Sequence, residues 1–275
     1  MTDGPNRPDW RTTLPWPGPN THKHARGRLG VVSGRAGQTG AARLAARGGL
    51  RIGAGVVSLL CPVEAVAVLA PAVEAVMLKP FTDPETLAEL ADGMDAVVVG
   101  PAAGFNDATV ANIHALAGNG AALIIDADGL TVFESWPADL FALLDRDDVL
   151  TPHEGEFSRL FPDLLEQGRE RAAIEAAARA GAVVVLKGPQ TVIAAPDGRM
   201  TVNDNGTPWL ATAGSGDVLA GMIGGLLAQR MDSFDAACAA VWIHAEAAAG
   251  FGPGLIAEDL PDRLPAVLAR LWPGQ

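Results

Sequence analysis

Ala96-Val97-Val98-Val99-Gly100-Pro101 and Leu123-Ile124-Ile125-Asp126-Ala127-Asp128 are apolar runs without alternation, each giving way abruptly to a loop of small or acidic residues. A strand with one wet face alternates apolar and polar side chains, because successive residues point to opposite faces. A strand apolar throughout has both faces covered, as in a parallel sheet held between helix layers. Working outward, the strands predicted are Arg28–Ser33, Val56–Cys61, Ala96–Val99, Ala121–Ile125, Asp148–Leu150 and Ala182–Leu186. Helices are predicted near 40–52, 62–70, 84–92, 107–118, 137–145, 154–161, 167–180, 214–229, 233–250 and 258–270. Strand–helix alternation of this kind specifies a doubly wound α/β fold. The last strands differ. Thr191–Ala194 and Met200–Val202 flank Pro196-Asp197-Gly198, a turn signal, and predict a β-hairpin. Residues 1–27, rich in Pro, Asn and Gly without periodicity, are expected to form an extended arm, and residues 28–275 a single domain.

The 275 residues are 49% hydrophobic and 19% charged, a composition for a globular, soluble chain. A net charge of −12 argues against nucleic-acid partners and against an anionic membrane surface. Cys61 and Cys238 lie far apart and match no metal spacing. The first 27 residues lack the apolar core of a secretory signal. The run Val218 to Ala228 is too short to span a bilayer. A cytoplasmic protein is expected.

Ligands of open α/β sheets bind beyond the carboxyl ends of the strands. Five loops there carry small or polar residues: Gly34 to Ala42, Gly100 to Gly104, Asp126 to Gly129, Thr151 to Glu156, and Lys187 to Thr191. The strongest local signal is Leu210-Ala211-Thr212-Ala213-Gly214-Ser215-Gly216-Asp217, just before an apolar helix. Small residues let backbone approach a ligand, and a helix N-terminus aims free N–H groups at an anion. Asp217 could then take a proton from a hydroxyl attacking phosphorus. The same residues also make an ordinary helix start, and spacing alone leaves both readings open.

His153 could face a substrate, or simply cap the helix beginning near Glu154. Lys187 could meet a phosphate, or extend to water. His244, on a predicted helix, reads as structural. Asp126 and Asp128 could hold Mg²⁺ through water, but neither is assigned as a direct metal ligand. A P-loop, a strict Gly-x-Gly-x-x-Gly after the first strand, a Gly-x-Ser-x-Gly elbow and His-Glu-x-x-His are all absent from the sequence.

In order and spacing, these segments resemble the ADP-dependent NAD(P)H-hydrate dehydratases, a branch of the ribokinase-like superfamily. The resemblance runs from His22-Lys23 through Gly37-Gln38-Thr39-Gly40, Ile52 to Val57, Val99 to Gly104, Asp126-Ala127-Asp128, Leu150 to Glu156 and Val185 to Gly188, to Leu210–Gly221. It implies a ribokinase-like three-layer αβα sandwich with a mostly parallel central sheet. The implied reaction is repair of NADH or NADPH hydrated at the 6-position, with ADP consumed to AMP and phosphate and Mg²⁺ on the nucleotide. Carried over, Asp217 is the catalytic base, and Ala41 or Ala42, Gly104, His153 and Asp217 meet the hydrated dinucleotide. Lys187, Gly188, Pro189, Gln190, Thr191, Gly214, Ser215 and Gly216 meet the adenine nucleotide. Pro189 and Gln190 depart from the family's Lys-Gly-Ala-Gly-Thr, and Pro189 removes one backbone donor. The resemblance also suggests a homotetramer, for which Trp242 or the terminal helices offer surfaces. Two other readings stand beside it: a ribokinase-like small-molecule kinase using ATP, and a non-catalytic nucleotide-binding module.

Overall fold

The computed structural model of the chain describes residues 9–274. Nine strands form one sheet: β1 (Arg28–Val32), β2 (Val56–Pro62), β3 (Met77–Phe81), β4 (Ala96–Val99), β5 (Ala122–Ile125), β6 (Val149–Leu150), β7 (Val183–Leu186), β8 (Thr191–Ala194) and β9 (Met200–Asn203). Their order is β3-β2-β1-β4-β5-β6-β7-β8-β9. Neighbours from β3 to β7 are parallel, and β8 and β9 add the expected antiparallel hairpin.

The helices are α1 (Trp10–Thr13), α2 (Gly40–Ile52), α3 (Val66–Leu69), α4 (Pro84–Ala91), α5 (Asp107–Leu116) and α6 (Asp128–Thr131). They continue with α7 (Pro137–Phe141), α8 (Glu154–Leu160), α9 (Arg169–Ala180), α10 (Ser215–Ala228), α11 (Ser233–Phe251) and α12 (Leu260–Leu271). Several begin where a side chain satisfies an otherwise orphaned N–H: Asp83 accepts from Thr86, Asn106 from Thr109, and Asp232 from Phe234 and Asp235.

The unbroken apolar strands divide their side chains between two cores, as the period of two requires. Ala96, Val98, Ile124, Val183 and Val185 pack with α2, α10, α11 and α12. Val97, Val99, Leu123, Ile125, Val184 and Leu186 pack with α4, α5, α8 and α9. The result is the three-layer αβα sandwich. α2 and α10 touch so closely that a Cβ on Gly221 would strike the Ala45 backbone, so the small residues here let two helices meet.

β3 is the strand the sequence conceals. Met77-Leu78-Lys79-Pro80-Phe81 contains a lysine and a proline, which a central strand would not tolerate. At the edge one side of the ladder is free, and the proline costs no pairing. Of the expected extended arm, residues 1–8 lie outside the described residues. The rest carries α1, a turn at Pro19–Asn20 closed by the Thr21 N–H on the Gly18 carbonyl at 3.1 Å, and a 3₁₀ turn at Lys23–Arg26. Trp10 and Leu14 are buried in the core, and Trp10 packs against Trp242 with ring centroids 5.5 Å apart and the rings tilted at 48°. No helix among the described residues is long and apolar enough to cross a membrane.

Candidate active site

The carboxyl ends of β5, β6 and β7 and the first turn of α10 converge on one group of charges. Asp126, whose side chain is 2% exposed, directly follows β5, and Lys187, directly after β7, places its Nζ 2.7 Å from Asp126 Oδ1. Between Asp126 and Asp128 the backbone turns through Ala127 at φ 52°, a conformation costly for a residue with a Cβ. Asp128 Oδ2 accepts from the N–H of Gly104 at 2.8 Å, tying the loop after β4 to the loop after β5.

α10 enters the site through Gly214, at φ 91°. Here only glycine serves: the backbone is left-handed, and a Cβ would sit 2.6 Å from Leu44 Cδ1 and 2.9 Å from Ala257 Cβ. No side chain among the described residues caps this helix, so the N–H groups of Gly216 and Asp217 are left for an anion. The Ser215 hydroxyl is committed elsewhere, donating to the Leu210 carbonyl at 2.8 Å. What the site offers a phosphate is therefore backbone and Lys187, not that hydroxyl.

Asp217, in the first turn, is half-buried. Burial, followed by the charge of Asp126, pushes its pKa up to about 6, against the opposing pull of Lys187. For Lys187, burial disfavours the ammonium, but Asp126, Glu156 and Asp217 outweigh it and hold the pKa above the ordinary lysine value. The arrangement is a carboxylate of raised basicity beside a locked cation and uncapped amides, suited to moving a proton next to a polyphosphate.

A cleft of about 570 Å³ opens on the other flank of α10, lined by Lys187, Gly188, Pro189, Thr191, Ser215 and Gly216 among others. Its remaining walls, including Leu210, Leu219 and Val241, are largely apolar, as a flat aromatic base requires. Of the residues expected on the nucleotide, Gln190 is exposed and does not line this cleft. Of the two candidate alanines, Ala41 is half-buried, while Ala42 is fully buried in the core.

His153 performs its plainer role. Its Nδ1 accepts from the Glu156 N–H at 3.1 Å, and Glu156 Oε2 accepts from the His153 N–H at 2.8 Å, a reciprocal cap on α8. The residue also bridges to Lys187 in parallel register, which fixes the capped histidine at the rim of the site.

Arg169 escaped the sequence reading, which took His244 as structural and did not bring it to the cleft. Arg169, the first residue of α9, donates from Nη2 to the carbonyls of Leu186, Lys187 and Gln190 at 3.1, 3.1 and 3.3 Å, and so shapes the Lys187–Thr191 loop. Nothing in its local sequence marks it. His244 lines the cleft and is 5% exposed; burial drives its pKa down to about 4, leaving it neutral.

Known proteins of similar sequence and fold identify the family. Residues 29–266 match the family model for NAD(P)H-hydrate dehydratase. The chain is 42% identical over 245 residues to the bifunctional NAD(P)H-hydrate repair enzyme Nnr of Gloeobacter violaceus, covering 86% of this chain and 48% of that protein. It is 38% identical over 256 residues to the ADP-dependent (S)-NAD(P)H-hydrate dehydratase of Neisseria meningitidis, covering 88% and 84%. The chain spans about half the length of the bifunctional relatives it matches. Among solved structures, the ADP/ATP-dependent NAD(P)H-hydrate dehydratase of Bacillus subtilis, co-crystallized with ATP/Mg²⁺, superposes with a TM-score of 0.83 at 29% identity over 96% of both chains. A ribokinase-like superfamily protein of Enterococcus faecalis, 23% identical over 95% of this chain and 94% of that one with a TM-score of 0.83, shares the fold. A family match that spans almost every strand and helix, with relatives this similar, places the chain in the NAD(P)H-hydrate dehydratase family.

Proposed function

We propose that the chain catalyses ADP-dependent dehydration of the 6-hydrated form of NADH or NADPH, restoring NAD(P)H with release of AMP and phosphate. The observation that carries this reading is Asp217, a carboxylate of raised pKa set between uncapped amides of α10 and the locked Lys187. Asp217 takes the proton of the ring hydroxyl as that oxygen attacks the β-phosphorus of ADP, and the bond to the α-phosphate oxygen breaks to give AMP. Charge on the phosphoryl oxygens meets the Gly216 and Asp217 N–H groups and Lys187. The phosphorylated hydroxyl then leaves as phosphate with its C–O electron pair. The ring nitrogen donates its lone pair, and loss of a proton from the neighbouring carbon restores the double bond.

In this reading the hydrated ring lies against Ala41, Gly104 and His153, and ADP occupies the cleft beside the Lys187–Thr191 loop, Ser215 and Gly216. Ala42 would contribute through its backbone alone. Magnesium would neutralise the nucleotide phosphates. The residues present do not form a resident metal site, since Asp126 is engaged by Lys187 and Asp128 by Gly104, and no metal-holding group of three occurs among the described residues. The ion would therefore arrive on the nucleotide, and no step depends on it here. Residues 28–275 would act as one cytoplasmic catalytic unit, assembled as a homotetramer that light scattering would detect.

The test is recovery of reduced-nicotinamide absorbance from chemically prepared hydrate, with AMP and phosphate measured as products. Recovery should require ADP or ATP. A stable phosphorylated product, accumulating without restored absorbance, would mark a kinase instead.

A further inference from the structure

The strand order reverses between β1 and β4, and a further cleft of about 400 Å³ opens there at the carboxyl ends of β1, β2 and β3. In open α/β sheets this switch point is the favoured place for a ligand. The cleft lies across the Gly34 and Ala103 loops from the charged group around Asp217, and Ala103 joins it to Gly104, where the ring is assigned above.

Its walls carry both signs of charge. Arg35 is exposed, and its side chain makes no hydrogen bond or ion pair among the described residues. Of the two carboxylates, Asp83 is occupied, accepting from the Thr82 and Thr86 hydroxyls and the Thr86 N–H at the head of α4. Glu64, two residues beyond β2, is exposed, and its side chain makes no hydrogen bond or ion pair among the described residues. A guanidinium matches a pyrophosphate, and a carboxylate matches a ribose diol while repelling a phosphate in the same place.

We propose that this cleft binds the adenosine diphosphate half of the hydrated dinucleotide, with Arg35 on the pyrophosphate and Glu64 on the adenosine ribose, and that it selects the NADH hydrate over the NADPH hydrate. This rests on the dehydratase reading and adds where the far half of the substrate lies. The 2′-phosphate of the NADPH form would face Glu64, whereas the 2′-hydroxyl of the NADH form donates to it.

Three substrates separate the possibilities: the hydrates of NADH, of NADPH, and of reduced nicotinamide mononucleotide, which lacks the adenylate half. In Arg35→Ala the KM for the NADH hydrate should rise about tenfold with kcat unchanged, and the KM for the mononucleotide hydrate, which keeps one of the two phosphates, should rise less. In Glu64→Gln the preference of the wild type for the NADH hydrate should shrink severalfold. The subsite is overturned if wild type binds mononucleotide and dinucleotide hydrates equally, if it prefers the NADPH hydrate, or if Arg35→Ala leaves the KM for the NADH hydrate unchanged. Turnover of none of the three would instead sink the dehydratase reading, and the subsite with it.

Discussion

Lys187 Nζ and Asp126 Oδ1, 2.7 Å apart, join the carboxyl ends of two strands that are not neighbours, β7 and β5, across the short β6. The carboxylate is buried and the ammonium nearly so. Removing one partner of such a pair strands the other without its counter-charge. Lys187→Met should therefore lower unfolding stability by about 3–5 kcal/mol, measured by urea titration. Asp126→Asn, which keeps the shape and leaves an oxygen for Lys187, should cost distinctly less. Equal stabilities for wild type and Lys187→Met would show that the pair holds nothing together.

The same two charges act on Asp217 with opposite sign. A base must be ionised, so turnover should fall as pH drops through about 6, the value burial and Asp126 give this carboxyl. Asp126→Asn removes a negative neighbour and should move that limb to lower pH, while Lys187→Met should move it to higher pH. Asp217→Asn should abolish the limb and reduce kcat by roughly 10²–10⁴, with ADP binding largely kept. Limbs that move together in the two neighbouring variants would assign the titration to another group.

The fold was legible because continuous apolar runs such as Ala96–Val99 admit few interpretations, and the hairpin because Pro196-Asp197-Gly198 fixes a turn. β3 was not, since an edge strand is released from the rules that make central strands recognisable. At the site, Asp217 and Lys187 showed themselves by position at element ends. Arg169 did not: its three contacts are to carbonyls up to 21 positions away in the chain, and no local pattern encodes such a partner. His244 reads from sequence as one more residue on an apolar helix. Only the packing of α11 beside α10 brings it to the cleft.

Arg169 gives a test that separates shaping the nucleotide loop from doing chemistry. Its Nη2 holds three carbonyls of the Leu186–Gln190 stretch, and its Nη1 pairs with Glu154 at 2.9 Å. Arg169→Ala should loosen that loop and raise the KM for ADP by about tenfold or more, while kcat and the KM for the hydrate stay near wild type. A matching fall in kcat would instead mean that the loop reports directly on the transition state. Arg169→Lys should recover little, because an ammonium cannot spread its donors as a planar guanidinium does.

Asp148 lies at the opposite end of the sheet from Asp217 and bears on stability alone. Its Oδ1 accepts from the Leu123 N–H at 2.7 Å and its Oδ2 from the Asp145 N–H at 2.8 Å, which fixes the start of β6 against β5. Burial, the largest influence, pushes its pKa up from 3.8 to about 7 despite those two donors. Between these values the folded chain keeps a proton that the unfolded chain has released, so stability falls as pH rises from about 4 to about 7. Three pK units at 1.36 kcal/mol each set the fall at about 4 kcal/mol. Asp148→Asn cannot ionise and should lose this slope, at the cost of one acceptor. Asp217 titrates in the same sense but is common to both proteins, so the difference between their urea-unfolding curves across that window isolates Asp148. A difference that stays constant from pH 4 to pH 8 would mean that Asp148 is ionised in the folded chain throughout.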